Sequence, residues 1–268
     1  MLLKILFLGD IVGSRGREGV KSLLPRLNQK EGLDFVIANG ENATHGRGIS
    51  YGHYQELVLD GVDCITNGNH FYNNKDVFTY ASKRTKAVRP RNLDKDAPGV
   101  GSRVFQVKGC KIRVSNFLGR AFVPRGQDNP FYAFDERYKN SDKDEIQIVD
   151  FHAEATAEKR TFAEYVDGRA TAVIGTHTHV QTNDPKYLSK GTFFLTDAGR
   201  NGPYDSIIGN QKEGTIFHTV TGRPGLREVR KTGRIQINGV RFEIDSEKKQ
   251  VVSYRLINER QGAVAQFG

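Results

Sequence analysis

Asp, Glu, Asn and His gather in five short clusters of this chain, and together they make a donor set for transition metals. Gly9-Asp10, Asn39-Gly40-Glu41-Asn42 and Asn67-Gly68-Asn69-His70 are three clusters; His152 and Thr176-His177-Thr178-His179 supply the others. Carboxylate, amide oxygen and imidazole suit Mn, Fe, Zn, Ni or Co better than metals that prefer thiolate or oxygen alone. One ion takes about four protein ligands in a closed site and fewer in a catalytic one. Asp10, Glu41, Asn42, Asn69, His152, His177 and His179 are therefore too many for one ion and suit two. A carboxylate such as Glu41 can bridge ions ~3.5–4 Å apart, and such a pair lowers the pKa of a bound water and clamps a phosphoryl group. The chemistry this predicts is hydrolysis of a phosphate ester.

Each cluster follows a run that reads as a strand. Residues 2–8 (LLKILFL) form a continuous apolar strand of the kind a sheet covered on both faces requires. Val20, Leu23, Leu24 and Leu27 then mark one face of a helix, with Pro25 signalling a kink or an earlier end. Strands at 34–38 and 62–66 enclose a helix at about 51–60. Three strand–helix units in a row predict a parallel sheet, whose ligand sites form beyond the carboxyl ends of the strands. Strands at 146–149 and 172–175 lead to His152 and His177, separated by an Ala- and Glu-rich helix that stops at Gly168. His177 and His179 lie two apart in a segment that reads as extended, which would turn both side chains the same way. A hairpin is expected around Lys108-Gly109, and a polar surface loop or small cap over about 119–144. The last third reads as short β segments at 192–196, 214–220, 234–244 and 250–257, with Asn238-Gly239 as a hairpin turn. A single domain over 1–268 with two sheets is the simplest architecture.

Composition narrows the function classes. Hydrophobic residues at 37% and charged residues at 26% suit a folded globular protein rather than a disordered chain. No apolar run approaches the ~20 residues a membrane span needs. The opening MLLKILFLGD has too short an apolar core for a signal peptide, so a cytoplasmic protein is expected. Cys64 and Cys110 are too few for a disulfide framework and read as buried, reduced thiols. The net charge of +9 favours anionic substrates, but the basic residues are scattered and no RNA-recognition signature is present.

The ordered set Gly9-Asp10, Asn39-Gly40-Glu41-Asn42, Gly68-Asn69-His70, Phe151-His152-Ala153-Glu154 and Gly175-Thr176-His177-Thr178-His179 resembles the calcineurin-like metallophosphoesterases, specifically the YmdB-type branch of bacterial phosphodiesterases. The likeness runs nearly end to end, from ILFLGDIVGSRGR to TDAGRNGPYDSIIG. The His-x-His and Gly-Asn-His pieces are common to the superfamily, whereas NGEN and FHAEAT are specific to the branch. The resemblance implies a four-layer αββα sandwich of two mixed sheets. It implies two divalent or mixed-valence ions, Fe or Mn first and then Zn, Ni or Co. One would be bound by Asp10, Glu41, Asn42 and His179, the other by Glu41, Asn69, His152 and His177. His70 would be the catalytic acid that protonates the leaving oxygen. The implied reaction is hydrolysis of 2′,3′-cyclic and, in some members, 3′,5′-cyclic nucleotides by a metal-bound hydroxide. The chain departs from the branch at Phe71, Tyr72 and Asn73, where Trp and Asp are usual, and at Arg200-Asn201, where Met-Thr is usual.

Plainer roles exist for several of these residues. A lone His-x-His pair is often structural, Asn42 is a common turn residue, and His70 could support its neighbour rather than act on substrate. His45, in the Gly-rich run beside Asn42, is a candidate substrate-binding residue, and Asp197 is either a support for the site or a turn residue. Rival readings on the same scaffold are a phosphomonoesterase, an RNA nuclease or a non-catalytic nucleotide- or RNA-binding regulator. The expected partners are a small phosphodiester or cyclic nucleotide, RNA as an alternative, and a second copy of the chain; no membrane is expected.

Overall fold

The computed structural model describes residues 1–81, 85–123, 126–225 and 228–262. Alternation along the first strand sets the architecture. Leu3, Ile5 and Phe7 of β1 (Leu2–Ile11) pack into one apolar cluster, and Leu6 and Leu8 pack into another. Successive side chains of a strand point to opposite faces, so a strand buried on both must lie in a sheet covered on both.

α1 (Gly13–Glu31) follows β1 and leads to β2 (Phe35–Asn39); α2 (Tyr51–Leu59) leads to β3 (Cys64–Thr66), and the short α3 (Val77–Tyr80) precedes β4 (Ala87–Val88). β1, β2, β3 and β4 pair in parallel in that order. The chain then builds a second sheet. β5 (Ser102–Val107) and β6 (Cys110–Leu118) form the expected hairpin. α4 (Pro130–Lys139) leads to β7 (Ile146–His152), and α5 (Thr156–Tyr165) leads to β8 (Ala172–Thr176). β9 (Lys186–Tyr187) and β10 (Phe193–Leu195) complete a sheet of order β5-β6-β7-β8-β10-β9. β11 (Arg200–Pro203), α6 (Lys212–Thr221), β12 (Ile235–Asp245) and β13 (Gln250–Gln261) return to the first sheet, whose order becomes β13-β12-β11-β1-β2-β3-β4.

Three buried apolar layers separate four layers of structure. Ile5, Phe7, Ile37, Ile148, Ile174 and Phe242 fill the space between the two sheets. Leu6, Leu8, Val20, Leu23 and Leu57 seal α1 and α2 against the outer face of the first sheet. Phe117, Phe151 and Val173 meet Phe134 of α4 and Phe162 of α5 on the outer face of the second. The result is the αββα sandwich of two mixed sheets. Burying each such Leu or Phe contributes ~1.5–3 kcal/mol.

Several local expectations are corrected. α1 continues through Pro25, which lies on its exposed face, and stops at Gly32 in the left-handed region (φ 64°). Residues 214–220 form α6 rather than a strand. Their β-branched residues raise strand propensity, but Ile216, Phe217 and Val220 face solvent and have no sheet to pack on. Asn238-Gly239 lies inside β12, not in a turn. Gly239 is needed there because a β-carbon would sit 2.4 Å from the Phe7 carbonyl oxygen of β1. Cys64 is buried, whereas Cys110 is only partly so. The stretch 119–144 carries α4, anchored by buried Phe134 and Arg137; its residues 124 and 125 lie outside the described residues.

Candidate metal centre

The carboxyl ends of β1, β2, β3, β7 and β8 meet at one end of the sandwich. Around Glu41, at the turn after β2, the donor atoms are close. His152 Nε2 lies 3.1 Å from Glu41 Oε1, 3.2 Å from Asn69 Oδ1 and 2.9 Å from His177 Nδ1. Glu41, His152 and His177 form a group able to hold a metal ion. A second group lies beside it: His179 Nε2 is 3.2 Å from Asn42 Oδ1 and 4.0 Å from Asp10 Oδ1. The structure thus places all seven sequence-predicted residues in two adjoining groups at this end of the sandwich.

Neighbouring groups hold these side chains in place. Asn42 Nδ2 donates to the Gly46 carbonyl (2.9 Å), which leaves Oδ1 facing His179. His179 Nδ1 donates to the Ile208 carbonyl (2.8 Å), which leaves Nε2 unprotonated in the neutral ring. The Thr176 hydroxyl donates to Asp150 (2.6 Å) and therefore accepts from His152 Nδ1 (2.9 Å). Asn39 donates to the other oxygen of Asp150 (3.0 Å) and accepts from the Glu41 backbone N–H (3.1 Å). Gly68 lets the loop after β3 approach: a β-carbon there would lie 2.2 Å from Glu41 Oε2 and 2.3 Å from His152 Nε2.

His177 and His179 differ from expectation. They are not on an extended strand; both have positive φ, 101° and 64°, in the turn after β8. The turn, not strand alternation, sends His177 to His152 and His179 to Asn42.

Electrostatics reflect crowded buried carboxylates. Burial pushes Asp10 well above the carboxylate range, and the charges of Glu41 and Asp197 add to this. Burial also opposes ionisation of Glu41, but the His152 charge and hydrogen bond, with His70, hold it at about 2. Burial would lower His152, yet Glu41, Asp10 and Asp150 together raise it to about 9. Burial and the neighbouring His152 depress His177 to about 3.

The donor set fits bound metal cations. Asp10 Oδ1 is buried and has no hydrogen-bond partner among the described residues, while Oδ2 accepts the His177 backbone N–H at 3.0 Å. Ligands ~2.0–2.2 Å from one ion sit about 3 Å from each other at right angles, the spacing found around His152 Nε2. Positive charge there would relieve the burial of Asp10 and Glu41.

The centre opens into a cleft of about 410 Å³ lined by His45, Arg47, His70, Glu154, His179 and Asn210, among others. His70 donates its backbone N–H to Glu41 Oε2 (3.0 Å), and its Nδ1 lies 3.2 Å from Asn73 Oδ1. Asn73, one of the departures from the branch, thus orients the His70 ring. His45 lies on the cleft wall, its ring edge-on to that of His53. Sequence reasoning missed Glu154, whose carboxylate lies 3.1 Å from His177 Nε2, and Asp150, although strand alternation puts Asp150 on the same side of β7 as His152.

Comparison with known proteins agrees with this fold. The chain is 42% identical over 260 residues to a Bacillus subtilis (strain 168) protein named 2′,3′-cyclic-nucleotide 2′-phosphodiesterase, covering 96% of this chain and 98% of that one. A crystal structure of a novel phosphatase from Mycoplasma pneumoniae superposes with a TM-score of 0.90 at 39% identity, covering 97% of this chain and 94% of that one. A crystal structure of a hypothetical protein from Thermus thermophilus also gives 0.90, at 36% identity, covering 97% and 100%. The family model described as YmdB-like protein matches residues 6–257, through every strand that feeds the cluster, and the chain belongs to that family.

Proposed function

We propose that this chain is a two-metal phosphodiesterase that opens 2′,3′-cyclic nucleotides, with 3′,5′-cyclic nucleotides as secondary substrates. The observation that carries the reading is the pair of adjoining donor groups, one around His152 and one around His179, at the floor of a cleft that His70 lines. The name of the Bacillus subtilis relative supports the substrate class. The cleft volume is in the range of small-ligand sites, ~300–1,000 Å³.

Glu41, Asn69, His152 and His177 would hold one ion; Asp10, Asn42 and His179, with Glu41 shared, would hold the other. The oxygen- and nitrogen-rich set without thiolate favours iron or manganese, with zinc, nickel or cobalt as alternatives. Bound ions of this kind lower the pKa of a water and neutralise charge on the phosphoryl oxygens. As a water oxygen bonds to phosphorus, the bond from phosphorus to O2′ breaks. His70 donates the proton that O2′ requires, and Asn73 Oδ1 accepts from His70 Nδ1–H so that Nε2 is the atom presented. The product is then the 3′-phosphate. His45, on the cleft wall, is a proposed contact for the nucleoside.

The test is metal content together with turnover of bis-p-nitrophenyl phosphate and 2′,3′-cyclic AMP. About two transition-metal ions per chain with release of 3′-AMP is the expected result. Hydrolysis of monoesters alone would replace the reading with a phosphomonoesterase, and full metal loading without turnover would replace it with a nucleotide-binding protein. A chain that binds no metal after reconstitution overturns it.

A further inference from the structure

His177 and His179 flank Thr178 in a turn with two left-handed histidines. Residues with a β-carbon disfavour that conformation, and it persists only where the surroundings over-determine it. The residue between them is tied down. The Thr178 backbone N–H and hydroxyl both donate to Asp197 Oδ2, at 3.1 and 2.8 Å. The same oxygen accepts from Lys159 Nζ at 2.6 Å, and Asp197 Oδ1 accepts from the Gly199 backbone N–H at 2.8 Å. Four donors thus meet on one carboxylate, and Lys159 forms a salt bridge with it. Both side chains are 1% exposed. Lys159 reaches the turn from α5, so the pair joins the helix, the strand-end segment 196–199 and the histidine turn. Two further contacts close the bracket: the Thr182 hydroxyl accepts the Asp197 backbone N–H (2.9 Å), and Arg200 Nη1 donates to the His179 carbonyl (3.2 Å).

We propose that the buried Lys159–Asp197 pair is a positioning device for the metal centre, which holds the 177–179 turn so that His177 and His179 face their separate donor groups. Neither residue touches the donor atoms; they act through Thr178. A charge pair of purely structural use would anchor any part of the fold, whereas this one directs three of its four hydrogen bonds to the strand end and the turn between the two histidines. The proposal rests on the two-metal reading above.

The experiment is calorimetric titration of Mn²⁺ into EDTA-treated protein, alongside the melting temperature of the same samples, for the native chain, Lys159→Met and Thr178→Val. Thr178→Val keeps the side-chain shape and the ion pair, and removes only the hydroxyl bond to Asp197. Removing an outer partner of a metal site typically weakens affinity ~10–100-fold, and that is the loss expected for Lys159→Met. For Thr178→Val a smaller loss of Mn²⁺ affinity is expected, and the metal-free melting temperature should fall only by the loss of one partly buried hydrogen bond, with the fold kept. Folded variants that bind Mn²⁺ as the native chain does overturn the positioning role and leave the metal reading standing. A native chain that binds no Mn²⁺ overturns both. If Lys159→Met does not fold, Thr178→Val decides: weakened binding by the folded variant supports the proposal, and native binding overturns it.

Discussion

His152 Nδ1 lies 2.9 Å from the Thr176 hydroxyl oxygen, which itself donates to Asp150 at 2.6 Å. This relay fixes the His152 tautomer and aims Nε2 at Glu41, Asn69 and His177. Thr176→Val keeps the shape of the side chain and removes the relay. Mn²⁺ affinity is expected to fall ~10–100-fold. The metal-free chain should lose ~1–3 kcal/mol, because Asp150 forfeits a buried hydrogen bond. Titration calorimetry and denaturant melts of the variant check both; native metal affinity would rule out the relay.

Gly68 tests the packing of the cluster. A β-carbon at this position would enter the space between Glu41 Oε2 and His152 Nε2. Gly68→Ala should therefore displace the ion held around His152 while the sandwich still folds. Metal analysis of the purified variant is expected to show roughly half the native metal content if the centre takes two ions, with circular dichroism unchanged. Native metal content would mean the loop yields without cost.

His70 tests the acid role. His70→Ala leaves every proposed ligand in place, so metal content should be unchanged. Loss of a positioned proton donor lowers turnover ~10²–10⁴-fold for 2′,3′-cyclic AMP, whose alkoxide needs the proton. Turnover of bis-p-nitrophenyl phosphate should fall much less, because p-nitrophenolate leaves without one. Equal losses on the two substrates would assign His70 to binding rather than proton transfer.

Acid and base act on the EDTA-treated chain through two histidines with opposite signs. His152 is raised to about 9, so the stability it contributes is full below 6.5 and is lost as pH rises through about 9. His177 is depressed to about 3, so its contribution is full above 6.5 and is lost as pH falls through about 3. The melting temperature of the metal-free chain is expected to decline from 6.5 towards 9. Metal must displace the His152 proton, so Mn²⁺ affinity should rise over the same interval with proton release, and the metal-loaded chain should not show the decline. A flat metal-free profile would mean His152 is neutral throughout.

The sequence by itself determined the candidate ligand set and most of the scaffold that carries it. Asp10, Glu41, Asn69, His152 and His177 each stand at or just past the end of an apolar run, and such runs can be read locally because strand alternation and helix periodicity are properties of neighbouring residues. Only the tertiary structure decided what depends on residues far apart in the chain. Asn238-Gly239 carries the local signature of a turn, yet pairing of Gly239 with Leu8 makes it the interior of β12. Residues 214–220 have strand-like composition, yet with no neighbouring strand to pair with they close into a helix. The turn at 177–179 owes its shape to Asp197, which lies 19 positions from Thr178, and to Lys159, which lies 38 positions from Asp197. A buried carboxylate finds its counter-charge through packing across layers, and no local pattern of residues announces that meeting.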